Sequence, residues 1–125
     1  CYNYPMKLII DIKVSDLPRA VIFYTKLLGF ESRIQKENWA AIIVGDAEIH
    51  LYKDGGVTGH VEFYVEDIGN EVRKLKNRGI EFISGMDKPN ALEVDDFNVT
   101  KFPWGRTAFF KDSENNELAL VKDLE

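Results

Sequence analysis

The chain has two histidines, His50 in "GDAEIHLYKD" and His60 in "GHVEFYVEDI", and both stand on the polar phase of an alternating apolar and polar run. An imidazole titrates near neutrality and can donate, accept or ligate, so either residue is a candidate for contacting a ligand, exchanging a proton or holding a metal. Each has a glutamate two residues away along its own run, Glu48 and Glu62, and Glu117 takes the matching place in the last run, "ENNELALVKD". His50, His60 and Glu117 together would be a donor set of two imidazoles and a carboxylate, the kind that holds non-haem iron or a similar divalent ion. A two-residue step along a strand moves a side chain by about 6.5 Å, which works against that set. The competing reading makes the glutamates a solvated face and the histidines a cleft wall bonded to neighbours or water. Asp11 and Lys13 in "LIIDIKV" either pair with each other or line the same face. Tyr52, Tyr64, Trp39, Phe102 and Trp104 supply aromatic surface that suits an organic ligand or an ordinary core. Arg106, after "FPWG", can receive an anionic group or remain a surface arginine.

Strands and helices must carry these groups. Leu8 to Val14 alternates, with Ile10, Ile12 and Val14 on one face and Ile9, Asp11 and Lys13 on the other. In the following "SDLPRAVIFYTKLLGF", Asp16 is placed to cap a helix and Pro18 to sit in its first turn. Val21, Tyr24, Leu27 and Leu28 recur at helical spacing, and Gly29 suits the left-handed stop. The stretch from His60 repeats this plan: Val61, Phe63 and Val65 alternate with His60, Glu62 and Tyr64, Asp67 caps, and Val72 and Leu75 lead to Gly79. Between each helix and each last strand there is room for two further strands, "FESRIQ" and "WAAIIVG" in one half, "IEFIS" and "GRTAFFKD" in the other. Two βαβββ units follow. The second carries eighteen extra residues, placed by this reading in the irregular stretch from Ile83 to Gly105. Irregular loops longer than roughly 12 to 15 residues are often functional, so this stretch is the candidate lid.

Composition bounds the rest. A chain of 125 residues, 45% hydrophobic and 30% charged, is one soluble domain of 6–125, with units at 6–54 and 58–123, Met6 as a candidate start and 1–5 as an N-terminal tail. Sixteen basic residues against twenty-one acidic ones, with no basic block, leave no surface for nucleic acid. No apolar stretch approaches the roughly 20 residues that span a bilayer, so no membrane segment is expected and the expected location is cytoplasmic. The single cysteine, Cys1, cannot form an internal disulfide.

The words "VSDLPRAVIFYTKLLGFE", "GHVEFYVEDI" and "PWGRTAFFKDSENNELALV", together with the repeat, resemble the vicinal oxygen chelate superfamily of glyoxalase I, extradiol dioxygenases and bleomycin-resistance proteins. The resemblance implies an α+β fold in which paired βαβββ modules form curled mixed sheets around a cleft, paired within one chain or across a homodimer. It further implies metal ligands from the first and last strands of each module, which fall here on Ile9, His50, His60 and Ala119. Isoleucine and alanine cannot coordinate a cation, and a catalytic metal site needs about three protein ligands. The expectation is therefore a homodimeric protein that binds a small organic ligand without a complete metal site and without another cofactor. His50, His60, Glu62, Tyr52, Tyr64, Trp39, Phe102, Trp104 and Arg106 would line its site. The alternative is a divalent-metal lyase, isomerase or dioxygenase using His50, His60 and a glutamate.

Overall fold

A computed structural model of the chain describes residues 6–123, so the expected tail at 1–5, with Cys1, lies outside the described residues. The strands are β1 (Lys7–Lys13), β2 (Glu31–Gln35), β3 (Trp39–Val44), β4 (Ala47–Tyr52), β5 (Val61–Tyr64), β6 (Phe82–Ile83), β7 (Glu93–Val94), β8 (Thr100–Phe102), β9 (Gly105–Lys111) and β10 (Glu117–Asp123). They form a single curled, unclosed sheet ordered β2-β3-β4-β1-β5-β10-β9-β8-β7, with β6 on the same edge of β9 as β8. Strand β1 lies parallel to β4 and β5 parallel to β10, each joined through a helix, and every other pairing is antiparallel. This is the expected α+β arrangement of two βαβββ modules.

The modules pair within the chain. Strands β1 and β5 run antiparallel from Lys7↔Tyr64 to Ile10↔Val61, and the Asp11 amide donates to the His60 carbonyl at 2.8 Å just beyond. Ile9 meets Glu48, 39 residues on, whereas Glu62 meets Ala119, 57 residues on. The difference is the eighteen-residue insertion. Taking it out makes Ile10 and Val61 equivalent, so a pseudo-two-fold axis passes through that pair.

The first helix, α1, spans Leu17–Ile22, and the Asp16 carboxylate accepts from the Arg19 amide at 3.1 Å as its cap. It then widens into a π-helical turn over Phe23–Leu27 before Gly29 ends it at φ +84°. The sequence spacing predicts an α-helix burying Val21, Tyr24, Leu27 and Leu28. The extra residue in the wide turn rotates the later ones off the stripe, leaving Leu27 72% and Leu28 49% exposed. Helix α2 (Ile68–Asn77) is regular, capped by Asp67 onto the Asn70 amide and ended at Gly79.

Both helices lie on one face of the sheet. Leu17 and Val21 pack on Ala40, Ile42 and Leu51, while Val72 and Leu75 pack on Val65, Phe82, Ala108, Phe110 and Leu120. Among the described residues no helix is long and apolar enough to cross a membrane.

The opposite, open face is partly filled by the insertion. Strands β7 and β8 form a hairpin whose turn is held by Asp95 accepting the Phe97 and Val99 amides. Ile83, Ala91 and Phe102 then pack with Ile9, Val57, Phe109, Ala119 and Val121. The irregular lid expected from the sequence is thus built into the sheet edge, because "EV" and "TKF" pair as strands.

Candidate functional site

Alternation along β1, β4 and β5 sends Asp11, His50 and Glu62 to the open face. Asp11 and His50 are direct partners in the parallel β1–β4 register, and Glu62 stands opposite Ile9, one diagonal step from Asp11. All three are buried, and one donor atom from each lies within 4.8 Å of the others. The Asp11 Oδ2 accepts the Val57 amide at 3.1 Å, whereas its Oδ1 is buried with no hydrogen-bond partner. The linker makes this contact possible through Gly56, at φ +80°, where a Cβ would stand 3.3 Å from Asp11 Oδ2 and 3.2 Å from the Tyr52 ring.

His50 is oriented from behind. Its Nε2 lies 2.8 Å from Glu48 Oε1, and Glu48 also accepts from Lys7 Nζ at 2.9 Å and from Arg33 Nε and Nη2 at 2.9 and 3.1 Å. Burial opposes ionisation of Glu48, but the hydrogen bonds from His50, Lys7 and Arg33 outweigh it and hold the carboxyl well below the usual range. An ionised Glu48 accepts the Nε2–H, and Nδ1 faces the Tyr52 hydroxyl. The Tyr52 hydroxyl lies 3.3 Å from Nδ1 and 3.4 Å from Glu62 Oε1, and Trp39 covers His50 and Tyr52 at ring separations of 5.2 and 6.1 Å.

Burial pushes the Asp11 carboxyl up, against hydrogen bonding to Glu62 and to the Val57 amide and against nearby histidine charge, all of which favour the ionised form. Two buried carboxyl groups at this separation need either a shared proton or a cation between them. Hard oxygens from Asp11 and Glu62, with a borderline imidazole nitrogen from His50, fit a divalent cation of the manganese, iron or zinc kind. The unpartnered Asp11 Oδ1 is the atom that such an ion would satisfy. A cation bound there would supply Lewis acidity to an oxygen of a bound molecule.

The donor group differs from the expected His50, His60 and Glu117. His60 adopts φ +63° in a turn closed by its amide on the Val57 carbonyl, which takes it out of the strand alternation and leaves it exposed. Glu117 is held by both oxygens on Lys88 Nζ, at 2.9 and 2.8 Å, with that ammonium 5.0 Å from the Phe109 ring centre. Among the expected lining residues, His50, Glu62, Tyr52 and Trp39 come together. Tyr64 and Phe102 belong instead to the apolar cluster around Ile9 and Ala119, and Trp104 stacks on Phe102 at 5.1 Å, 41% exposed. Arg106 is in phase with Ala108 and Phe110 and so projects on the helix face, away from the donor group. An open depression lined by Lys13 to Asp16, Arg19, Ala20 and Phe23 shares no residue with it.

Asp11 is the residue sequence reasoning left unassigned. Its signal was a charged side chain inside an apolar run, on the same phase as Ile9.

The model of the Glyoxalase/Bleomycin resistance protein/Dioxygenase superfamily matches residues 8–120. The chain belongs to this superfamily. Solved structures of the same fold include the NAD-dependent benzaldehyde dehydrogenase of Legionella pneumophila, with a TM-score of 0.64 at 15% identity over 91% of this chain and 96% of that one. Hypothetical protein BH1468 of Bacillus halodurans C-125 gives 0.62 at 15% identity, covering 98% and 97%. Methylmalonyl-CoA epimerase of Mycobacterium tuberculosis gives 0.58 at 19% identity, covering 95% and 89%. At such identities the likeness shows the superfamily fold and nothing of the chemistry. No match is found among curated proteins.

Proposed function

We propose that this superfamily member binds a small oxygen-bearing organic molecule on the open face of its sheet, at a divalent-cation centre formed by Asp11, His50 and Glu62. The observation that carries this reading is the convergence of three buried donors in which Asp11 Oδ1 has no partner. Trp39 and Tyr52 give the organic part an aromatic wall beside the ion. The test is metal content after purification without chelator, and again after addition of manganese, iron or zinc. About one ion per chain is expected, lost in Asp11→Asn and Glu62→Gln and retained in His60→Ala. Absence of a stoichiometric ion from the unaltered protein, or its retention in both carboxylate variants, overturns the proposal.

A second reading, organic-ligand binding without metal, is favoured by Ile9 and Ala119, which are buried in an apolar cluster and cannot ligate. There, Asp11 and Glu62 share a proton. A screen of organic molecules by thermal shift separates the two readings, because a bound ligand stabilises by RT ln(1 + [L]/Kd). Stabilisation unchanged by chelator selects the second. Leu8, Ile10, Ile22, Phe23, Leu27 and Leu28 are exposed on the helix side, which supports the expected homodimer. Sedimentation equilibrium showing only monomer at high concentration would exclude it.

A further inference from the structure

The donor group is almost closed off from solvent: Asp11 is 4%, His50 2% and Glu62 7% exposed. Trp39 covers it on the β3 side and is fixed there, paired with Tyr52 in the β3–β4 ladder and accepting the Lys36 amide on its carbonyl at 2.8 Å. Its other cover is the linker that joins the modules, Asp54 to Thr58, which belongs to no strand or helix.

Three consecutive linker residues touch the site. The Gly55 carbonyl accepts from Lys13 Nζ, Gly56 lies against the Tyr52 ring and Asp11, and the Val57 amide donates to Asp11 Oδ2 at 3.1 Å. The Val57 side chain is buried with Ile9, Phe109 and Ala119 and so plugs the space beside Asp11. Backbone bonds anchor the linker at both ends. The Lys53 amide donates to the Asn38 carbonyl at 2.9 Å, and the Gly59 amide donates to the Glu117 carbonyl at 2.8 Å. A Cβ on Gly59 would stand 2.4 Å from that carbonyl oxygen, so this anchor depends on glycine. Between the anchors the backbone is loosely held. Gly55 and Gly56 stand at φ +91° and +80°, and among the described residues the amides of Gly55, Gly56 and Thr58 donate to no protein group. Exposed backbone without ladder bonds opens locally far below the free energy of global unfolding, and paired glycines give it many alternative conformations.

We infer that Asp54 to Thr58 is a strap over the donor group, closed in this conformation and lifted about the anchors at Lys53 and Gly59 to admit small molecules to Asp11, His50 and Glu62. Lifting withdraws the Val57 plug, frees Asp11 Oδ2 and uncovers the Tyr52 ring and the Lys13 ammonium together. What enters, a cation with an oxygen-bearing organic molecule, rests on the function proposed above, whereas the movement of the strap does not.

The experiment uses the full chain without added metal. Diethyl pyrocarbonate, a small organic reagent for imidazoles, is followed at each histidine by peptide mass spectrometry. Exposed His60 is the internal reference, whereas buried His50 reacts through opening of the strap. Gly56→Ala crowds the closed strap against Tyr52 and Asp11, and Lys13→Met removes its tie to Gly55. Each is expected to speed His50 modification about tenfold relative to His60. Lys101→Met, the same loss of charge at an exposed pair on β8, leaves the ratio unchanged. Hydrogen exchange on the unaltered protein is the second readout: the Val57 amide is expected to exchange with little dependence on denaturant, and the Leu120 amide with the steep dependence of global unfolding. Val57 sharing the steep dependence of Leu120 overturns the inference. So does a His50 to His60 ratio that rises in neither Gly56→Ala nor Lys13→Met, or that rises equally in Lys101→Met. Neither readout involves a cation, so a failure of the proposed cation centre, read by metal content, leaves the test of the strap intact.

Discussion

Glu48 and Glu117 occupy equivalent positions in the two modules, and their surroundings have diverged. Glu48 is ringed by His50, Lys7 and Arg33 and orients an imidazole toward Asp11 and Glu62. Glu117 meets one lysine, Lys88, delivered by the insertion, and where module one has His50 module two has the fully buried Ala119. Ile83, Ala91 and Phe102 fill the open face over module two, while Trp39 and Tyr52 leave module one polar and aromatic. One repeat unit can therefore serve as a packed wall and the other as a chemical surface. On the open face they differ by His50 and Tyr52 on β4 against Ala119 and Val121 on β10, and by the eighteen residues inserted before β9.

The strongest challenge to this contrast is to its common core. Leu51 and Leu120 are equivalent and both fully buried, one under each helix. Leu51→Ala and Leu120→Ala are each expected to cost about 2 to 5 kcal/mol. Because β1 and β5 join the halves in one sheet, either change should lower a single unfolding transition, measured by calorimetry with a second spectroscopic probe. Two separated transitions in either variant would show the modules to be independent.

Next in size is the contrast between the two glutamates. Glu48→Gln is expected to destabilise by about 2 to 3 kcal/mol at neutral pH, since it strips a buried carboxylate from two cations and an imidazole. Glu117→Gln, with one partner, should cost about 1 kcal/mol. The folded Glu48 carboxyl is depressed below its unfolded value of about 4.3, so its contribution is present above that pH and lost as pH falls toward the folded value. Denaturant melts across acid pH should show the unaltered protein converging on Glu48→Gln below about pH 4. A gap that stays constant with pH would mean that the ring of cations does not act through ionised Glu48.

The smallest effect lies in the β9–β10 turn. Asp112 accepts from the Asn116 side chain and from the Asn116 and Glu114 amides, contacts that hold its carboxyl below the usual range. Its stabilisation is present above the ordinary aspartate value of about 3.9 and fades below it. Asp112→Ala should lower the melting temperature slightly at neutral pH, with the difference vanishing in acid.

Much of the fold was legible because it rests on local chemistry. Asp16 and Asp67 cap, Gly29 and Gly79 stop, and the alternations of β1 and β5 fix which side chains share a face. The alternation of β4 likewise puts Glu48, His50 and Tyr52 on one face, the face of Glu62. Two things were not local. The positive φ of His60 is set by how the linker closes on Val57, and no propensity of histidine announces it. The β1–β5 register joins segments some fifty residues apart, and only that register places Asp11 diagonally from Glu62. The π-helical turn at Phe23–Leu27 is a third departure, since Thr25 and its neighbours fit an α-helix equally well in sequence.

The axis through Ile10 and Val61 has one more consequence. Asp11 and Glu62 are each the next residue along their own strands, so they are copies of one position, and the antiparallel junction sets the copies diagonally across from each other on the same face. A carboxyl specified once per half is thereby delivered twice to one spot. The proximity of the acidic pair follows from the internal two-fold relation, and His50, whose counterpart is Ala119, turns a symmetric pair into a three-cornered group.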